Sequence, residues 1–308
     1  MKRWLFAPLA VAVVSLVAIA VPPDAEKAAK ATAVDVGDAA KRAQVEKGLT
    51  VTAWASEPAL ANPVSFAFDG KGACYVVETN RFGDGTPDTR GFMHWLDDDI
   101  GSRSVEDRLA MYAKHKYPAY EKFGETVRKL VDTTGKGVAD QSTLFAGPFN
   151  KPADGVAAGV LARDGDVYLT CIPSLYKLKD TKGTGTADVT DVMSTGYGVR
   201  VQFVGHDLHG LRMGPDGKLY FSIGDRGFKV VTKEGTTLSN PDSGAVLRCL
   251  PDGSKLEIVH IGLRNPQELA FDELGNLFTY DNNSDSGDQA RWVQIVEGGD
   301  SGDRKSVV

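Results

Sequence analysis

The chain has 308 residues, of which 42% are hydrophobic and 25% are charged. This is the composition of an ordinary globular protein with enough apolar residues for a core. The formal net charge is −6, and no long block of Lys and Arg occurs. These features argue against a surface that follows nucleic-acid phosphates, so we expect no nucleic-acid partner.

Residues 1–21 have the features of an export signal. Lys2 and Arg3 precede an apolar run from Trp4 to Val21, which two prolines end. The alternative is an uncleaved anchor, because the length of this run is close to that of a bilayer span. We favour cleavage and expect a periplasmic or extracellular protein, with membrane association if the signal is retained. Residues 22–47 are rich in Ala, Lys and Asp and are predicted to be a linker.

Four later segments share one design, in which an apolar run, an Asp/Gly turn and an alternating aromatic run follow each other. This design predicts two strands joined by a tight turn. The turns lie near residues 70, 165, 216 and 274, so the first interval is much longer than the next two. The last two intervals suit one four-stranded blade each. We predict an all-β fold, a β-propeller of about four to five blades over residues 48–303. Residues 304–308 form a tail outside it, which suggests a truncated reading frame.

The long first interval contains a helical pattern near residues 104–131. Ser104 and Asp107 have the spacing of a capping box, and apolar residues follow at roughly helical spacing. Pro118 is expected to break the helix in two. We therefore predict a helical insertion between blades, with aromatic side chains that serve packing.

The three cysteines, Cys74, Cys171 and Cys249, each lie inside a strand-like run. Their odd number and scattered positions do not form a disulfide framework, and none belongs to a Cys-x-x-Cys-His haem motif. They are predicted to be buried free thiols. Two loops, 132–140 and 180–188, share the frame of a calcium-binding loop but carry lysine at ligand positions. We predict turns that keep only the geometry.

Two polar clusters stand at the ends of predicted inner strands, which surround the channel of a propeller. His206 and Asp225 could face one pocket, where a carboxylate would orient a histidine general base. The alternative is that His206 and His209 cap loops. Arg264 and Asn265 precede the next inner strand, where a guanidinium suits a carboxylate or quinone oxygen. A salt bridge between blades is the alternative for Arg264.

These residues resemble the signature of the soluble quinoprotein glucose/sorbosone dehydrogenases over residues 152–302. His206, the turn at 214–216 and Asp225 match that signature, with the His and Asp nineteen residues apart. The segments from Arg264 and from Asp281 resemble the motifs that follow it. The resemblance implies an incomplete propeller of the six-bladed type that uses pyrroloquinoline quinone (PQQ).

The resemblance also implies roles for individual residues. His206 would be the catalytic base and Asp225 its partner, while Arg264 and Asn265 would contact the quinone. The backbone carbonyls of two further residues, Asn283 and Ser284, would hold Ca²⁺ beneath it, where the ion acts as a Lewis acid.

The chain also departs from the family. Asp154 stands where the family has a catalytic glutamine. The basic residues that clamp the quinone in the family come from later blades, beyond this chain. The closest resemblance, over residues 47–302, is to a subgroup of membrane-bound dehydrogenases or haem-binding proteins. It rests on the segments 48–59 and 206–226.

Two hypotheses follow. The first is an exported PQQ-dependent dehydrogenase that oxidises a sugar or polyol and passes electrons to a cytochrome c. The second is a non-catalytic propeller that serves as a carbohydrate-binding or scaffolding module. A hydrolase using His206 with Asp225 or Asp154 lacks a nucleophile motif.

Overall fold

The computed structural model describes residues 36–83, 85–118, 121–282 and 289–302. The chain divides into a unit that ends at Ala53 and a larger unit that begins at Trp54. The first unit contains helix α1 (Val36–Arg42), which lies inside the predicted linker. The predicted export signal lies outside the described residues. None of the helices described here has the length and apolar character needed to cross a membrane.

The larger unit consists mainly of strands. Helices α2 (Leu96–Gly101) and α3 (Val105–Lys114) and the 3-10 helices Thr89–Gly91 and Met93–Trp95 lie between the second and third strands. The strands are β1 (Pro63–Phe68), β2 (Cys74–Glu78), β3 (Glu125–Val131), β4 (Gln141–Phe149), β5 (Ala157–Arg163), β6 (Asp166–Cys171), β7 (Ser174–Lys179), β8 (Val189–Thr195), β9 (Leu208–Met213), β10 (Leu219–Ile223), β11 (Phe228–Val231), β12 (Thr237–Asn240), β13 (Gly244–Cys249), β14 (Glu257–Leu263), β15 (Pro266–Phe271), β16 (Leu277–Asp281), β17 (Arg291–Ile295) and β18 (Gly299–Asp300).

Within the described residues, these strands form four antiparallel sheets that follow one another along the chain. The sheets are β1-β2-β3-β4, β5-β6-β7-β8, β9-β10-β13-β14 and β15-β16-β17. Strand β18 adds a parallel edge to β14, and β11 and β12 form a separate hairpin. The first strands β1, β5, β9 and β15 contact one another in that order. This is the radial arrangement of propeller blades, and it confirms the predicted all-β propeller with four blades.

The blade hairpins form where the Asp/Gly turns predicted them. In the fourth blade, the Asp272 carboxylate accepts hydrogen bonds from the amides of Leu274 and Asn276 at 3.0 and 2.7 Å. Gly275 has a φ of 87°, a left-handed conformation that suits glycine. The second strand of the third blade, β10, is buried along its whole length because blades cover both of its faces.

The insertion between β2 and β3 is helical but shorter than predicted. Helix α3 begins as the capping pattern indicated, because the Ser104 hydroxyl accepts a hydrogen bond from the Asp107 amide at 3.2 Å. It ends at Lys114, and Glu125–Val131 forms strand β3 instead of a second helix. The prediction of a helix over Glu125–Val131 was therefore wrong. Antiparallel pairing with β2 buries Val127 and Leu130 completely. The apolar pattern fits either a helix or a strand, and pairing with β2 made it a strand.

The two calcium-loop-like segments adopt the predicted tight turns. In the first, an Asp132 oxygen accepts a hydrogen bond from the Gly137 amide at 2.7 Å. In the second, Asp180 accepts one from the Gly185 amide, also at 2.7 Å. These carboxylates therefore brace their own loops, as in Asx turns.

The three cysteines are free and buried in β2, β6 and β13, as predicted. Burial raises the pKa of Cys74 to about 11 and that of Cys249 to about 12, and it raises the pKa of Cys171 well above its ordinary value.

Since the thiolate is the nucleophile, we expect a thiol reagent at pH 8 to leave the three cysteines of the folded protein unmodified. All three thiols should react after unfolding in guanidinium chloride. Rapid modification of a folded chain would contradict the buried placement.

Candidate functional site

The predicted site residues converge where the chain enters the first strands of neighbouring blades. Asp154 precedes β5, His206 precedes β9, and Arg264 and Asn265 precede β15. The segments before β5 and β9 touch, since a Cβ atom built on Gly155 would lie 3.5 Å from Asp207 Oδ1. The entrances of these three blades therefore form one polar region.

His206 and Asp225 form a buried hydrogen-bonded pair. Nδ1 of His206 lies 2.7 Å from Oδ1 of Asp225, and the two residues are 4% and 8% exposed. A Cβ on Gly224 would come within 2.9 Å of the His206 Cα, so this approach requires glycine. The carboxylate favours a proton on Nδ1, which leaves Nε2 as a hydrogen-bond acceptor. The structure brings together the two residues that their spacing paired, and their catalytic role stays a prediction.

Arg264 and Asn265 are held at the neighbouring blade entrance. Their backbone amides donate hydrogen bonds to the buried Asp281 carboxylate at 3.1 and 2.8 Å. The Asp225 amide donates to the Arg264 carbonyl at 2.8 Å, which joins this entrance to the histidine pair. The Arg264 guanidinium lies 5.8 Å from the centre of the Phe203 ring, a cation–π distance. The His206 ring meets the same phenyl ring edge-on at 5.5 Å, so Phe203 contacts both predicted site groups.

Asp154 lies in the segment that enters β5 and is 5% exposed. Among the described residues, its carboxylate accepts a hydrogen bond from the Lys151 amide, at 2.8 Å, and makes none with His206. Burial raises the pKa of Asp154, although the positive charges of Arg81, Lys151 and Arg108 oppose that shift. Its catalytic role therefore stays a prediction without a direct contact to support it.

The predicted calcium ligands Asn283 and Ser284 lie outside the described residues. Among the residues described, no group of three or more His, Cys, Asp or Glu side chains could hold a metal ion. His209 fits the loop-capping alternative, because its Nε2 lies 3.0 Å from the Gly205 carbonyl oxygen. Burial lowers the pKa of His209, which favours the neutral form of the ring.

A buried ion pair that sequence reasoning missed stands next to the histidine pair. Asp207 Oδ1 and Arg226 Nη1 are in direct contact, and both side chains are 0% exposed. The pair ties the loop before β9 to the turn after β10, and Asp207 also accepts the Gly205 amide at 3.0 Å. Asp207 and Arg226 are nineteen residues apart, as are His206 and Asp225. This repeated spacing is the feature of the sequence from which the Asp207–Arg226 pair could have been predicted.

Three similar solved structures illustrate the comparison with known proteins. The first, from Thermus thermophilus, is assigned as an oxidoreductase (glucose dehydrogenase), at 16% identity and a TM-score of 0.47. The second is the PQQ-bound aldose sugar dehydrogenase from Streptomyces coelicolor, at 18% identity and a TM-score of 0.46. The third is the PQQ domain of pyranose dehydrogenase from Coprinopsis cinerea, at 13% identity and a TM-score of 0.43.

The matches cover 81%, 78% and 76% of this chain, and 65%, 62% and 48% of the respective structures. The chain thus spans less than two thirds of the length of the solved structures that it matches. No curated protein sequence matches it significantly. The profile of a family described as "Domain of unknown function (DUF7133)" matches residues 35–298, and the chain therefore belongs to that family.

Proposed function

We propose that this protein is an oxidoreductase that oxidises a hydroxyl group of a sugar or polyol, with His206 as the general base. The buried contact of 2.7 Å between His206 and Asp225 is the observation that carries the proposal. The substrate hydroxyl would give its proton to Nε2 of His206, and Asp225 would stabilise the resulting imidazolium through Nδ1–H. The hydride from the same carbon would pass to a two-electron acceptor, so that the alcohol becomes a carbonyl group.

The acceptor that we propose is PQQ, and one observation at the site fits a bound polar group. Asn265 is 2% exposed, and its Oδ1 has no hydrogen-bond partner among the described residues. Buried amide groups are normally satisfied, and a flip of the amide would place its NH₂ group there instead. Asn265 could therefore donate to a quinone oxygen or accept from a ring N–H. When bound, PQQ would supply the two-electron acceptor.

The remaining parts of the proposal rest on the sequence. Binding of Ca²⁺ through Asn283 and Ser284 follows from the family resemblance, as does a cytochrome c that reoxidises the quinone. Export follows from the apolar N-terminal segment.

Titration of the chain with PQQ and Ca²⁺ tests the cofactor assignment. We expect PQQ to raise the midpoint of thermal unfolding, because a ligand that binds only the folded state stabilises it. Asn265→Leu removes the amide at nearly constant volume and should weaken this shift, whereas the exposed control Arg163→Ala should keep it.

Dye reduction with a panel of sugars and polyols tests the reaction. Reduction that requires PQQ supports the dehydrogenase. Sugar binding without a PQQ-dependent shift or dye reduction would instead identify a carbohydrate-binding module and overturn the proposal.

A further inference from the structure

The loop that carries His206 is covered by the insertion between β2 and β3. Residues 199–206 lead into β9 and contain both His206 and Phe203. Hydrogen bonds from two parts of the insertion reach this loop across more than 100 residues of sequence. The insertion therefore acts on the site from outside the blades that form it.

The main contact is made by Asp99, a residue of helix α2. Asp99 is 1% exposed. One carboxylate oxygen accepts a hydrogen bond from the Val201 amide at 2.6 Å, and the other lies 3.4 Å from the Gln202 amide. Thr89 bonds to the other end of the same residue, because its amide and its hydroxyl both donate to the Gln202 carbonyl oxygen at 3.0 Å. The Thr89 hydroxyl also lies 3.4 Å from Asp99, so these contacts form one clamp.

The residue that Asp99 and Thr89 both contact, Gln202, has a strained backbone. Gln202 has a φ of 49°, in the left-handed region that residues other than glycine rarely adopt. Such a conformation is unfavourable and persists only when surrounding contacts enforce it. Here the amide of Gln202 faces Asp99 and its carbonyl oxygen faces Thr89. The insertion thus enforces the turn that redirects the chain toward the site.

The insertion also makes contacts further along the same loop. The Asp88 carboxylate accepts a hydrogen bond from the Val204 amide at 3.1 Å. The Arg90 guanidinium lies 4.7 Å from the centre of the Phe203 ring. The Phe203 carbonyl oxygen in turn accepts the His206 amide at 3.2 Å, and the two rings meet edge-on. A continuous set of contacts therefore runs from the insertion to the His206 ring.

We propose that Asp99 and Thr89 are positioning residues, which hold Gln202 in its left-handed conformation and thereby fix Phe203 and His206 relative to Asp225. This inference rests on the proposed role of His206 as the base. It assigns to the insertion a role in the chemistry of the site, in addition to packing.

Amide hydrogen exchange of residues 199–206 tests the clamp without any cofactor. Asp99→Asn can accept with only one oxygen, so one of the two amides loses its partner. Thr89→Val removes the hydroxyl donor at constant shape. We expect Asp99→Asn to exchange about 10-fold or more faster in this loop, since hydrogen bonds to charged groups are worth roughly that factor. Thr89→Val loses a hydrogen bond between neutral groups, so the loop should exchange about 5-fold faster in that variant. Asp107→Asn is the matched control, because Asp107 lies in the same insertion and bonds to Arg103 and Ser104, not to residues 199–206, among the described contacts. It should exchange like the wild type.

Two further measurements separate positioning from general stability. The ring signals of His206, followed by NMR against pH, should shift or broaden in Asp99→Asn and stay unchanged in Asp107→Asn. In an active preparation, Asp99→Asn should lower kcat about 10-fold or more with little change in KM, because misplacement of a base affects the chemical step.

Unchanged exchange in folded Asp99→Asn, or faster exchange with unaltered His206 signals, would overturn the proposal. If Asp99→Asn does not fold, the same measurements on Thr89→Val decide whether the clamp positions His206. A wild type without dye reduction would instead count against the dehydrogenase, and exchange and NMR would still test the clamp.

Discussion

Replacement of His206 by alanine is expected to slow substrate oxidation by about 10²- to 10⁴-fold, the usual contribution of a general base. Alanine removes the acceptor Nε2 and leaves the Asp225 carboxylate without the ring that it contacts at 2.7 Å. The effect should appear in kcat, measured by dye reduction at saturating substrate with PQQ and Ca²⁺ present. Binding of PQQ, followed by thermal shift, should remain close to that of the wild type, since Arg264 and Asn265 are unchanged.

The matched control for this variant is His94→Ala. His94 is an exposed histidine in the insertion, and its loss should leave the rate nearly unchanged. If His206→Ala retained a rate within a few-fold of the wild type, the base would have to be another group. A general loss of structure is recognised separately, because circular dichroism would then change as well.

Replacement of Asp207 by alanine is expected to lower the free energy of unfolding by about 3–5 kcal/mol. The variant leaves the Arg226 guanidinium, which is 0% exposed, as a buried charge without its carboxylate. It also removes the acceptor of the Gly205 amide in the loop that carries His206. Urea unfolding followed by fluorescence measures the loss, and the slope of the transition should stay constant.

Two comparisons make this result specific. Arg163→Ala breaks an ion pair whose side chains are 57% and 89% exposed, and it should cost less than about 1 kcal/mol. The double variant Asp207→Leu/Arg226→Met removes both charges and should be more stable than Asp207→Ala alone. A loss of less than about 1 kcal/mol in Asp207→Ala would show that the buried pair does not stabilise this region as described.

Asp207 and Arg226 show why the candidate site depends on more than the His206–Asp225 pair. Asp207 and His206 are neighbours in the chain, yet they bond to different members of the next turn, Arg226 and Asp225. One pair is suited to proton transfer and the other braces the two segments. A substitution in the brace should therefore disturb the geometry of the proton acceptor as well as the stability of the blade.

Local patterns in the sequence determined the blades and the histidine pair. The Asp/Gly turns specify hairpins because their side chains and glycines satisfy the turn geometry locally, as at Asp272 and Gly275. The His206–Asp225 contact was predictable because both residues flank one such hairpin, where strand pairing brings its two ends together. The burial of all three thiols followed for a similar reason, since each lies within a central strand of its blade.

Only the tertiary structure decided the features that depend on distant partners. Residues Glu125–Val131 carry an apolar pattern compatible with a helix, and pairing with β2 made them a strand. The contact of Asp99 with Val201 joins residues 102 positions apart, and no local pattern encodes it. The left-handed conformation of Gln202 exists because those remote contacts compensate its cost. Hairpin turns are thus set by neighbouring residues, whereas the placement of the candidate base depends on packing between the insertion and the third blade.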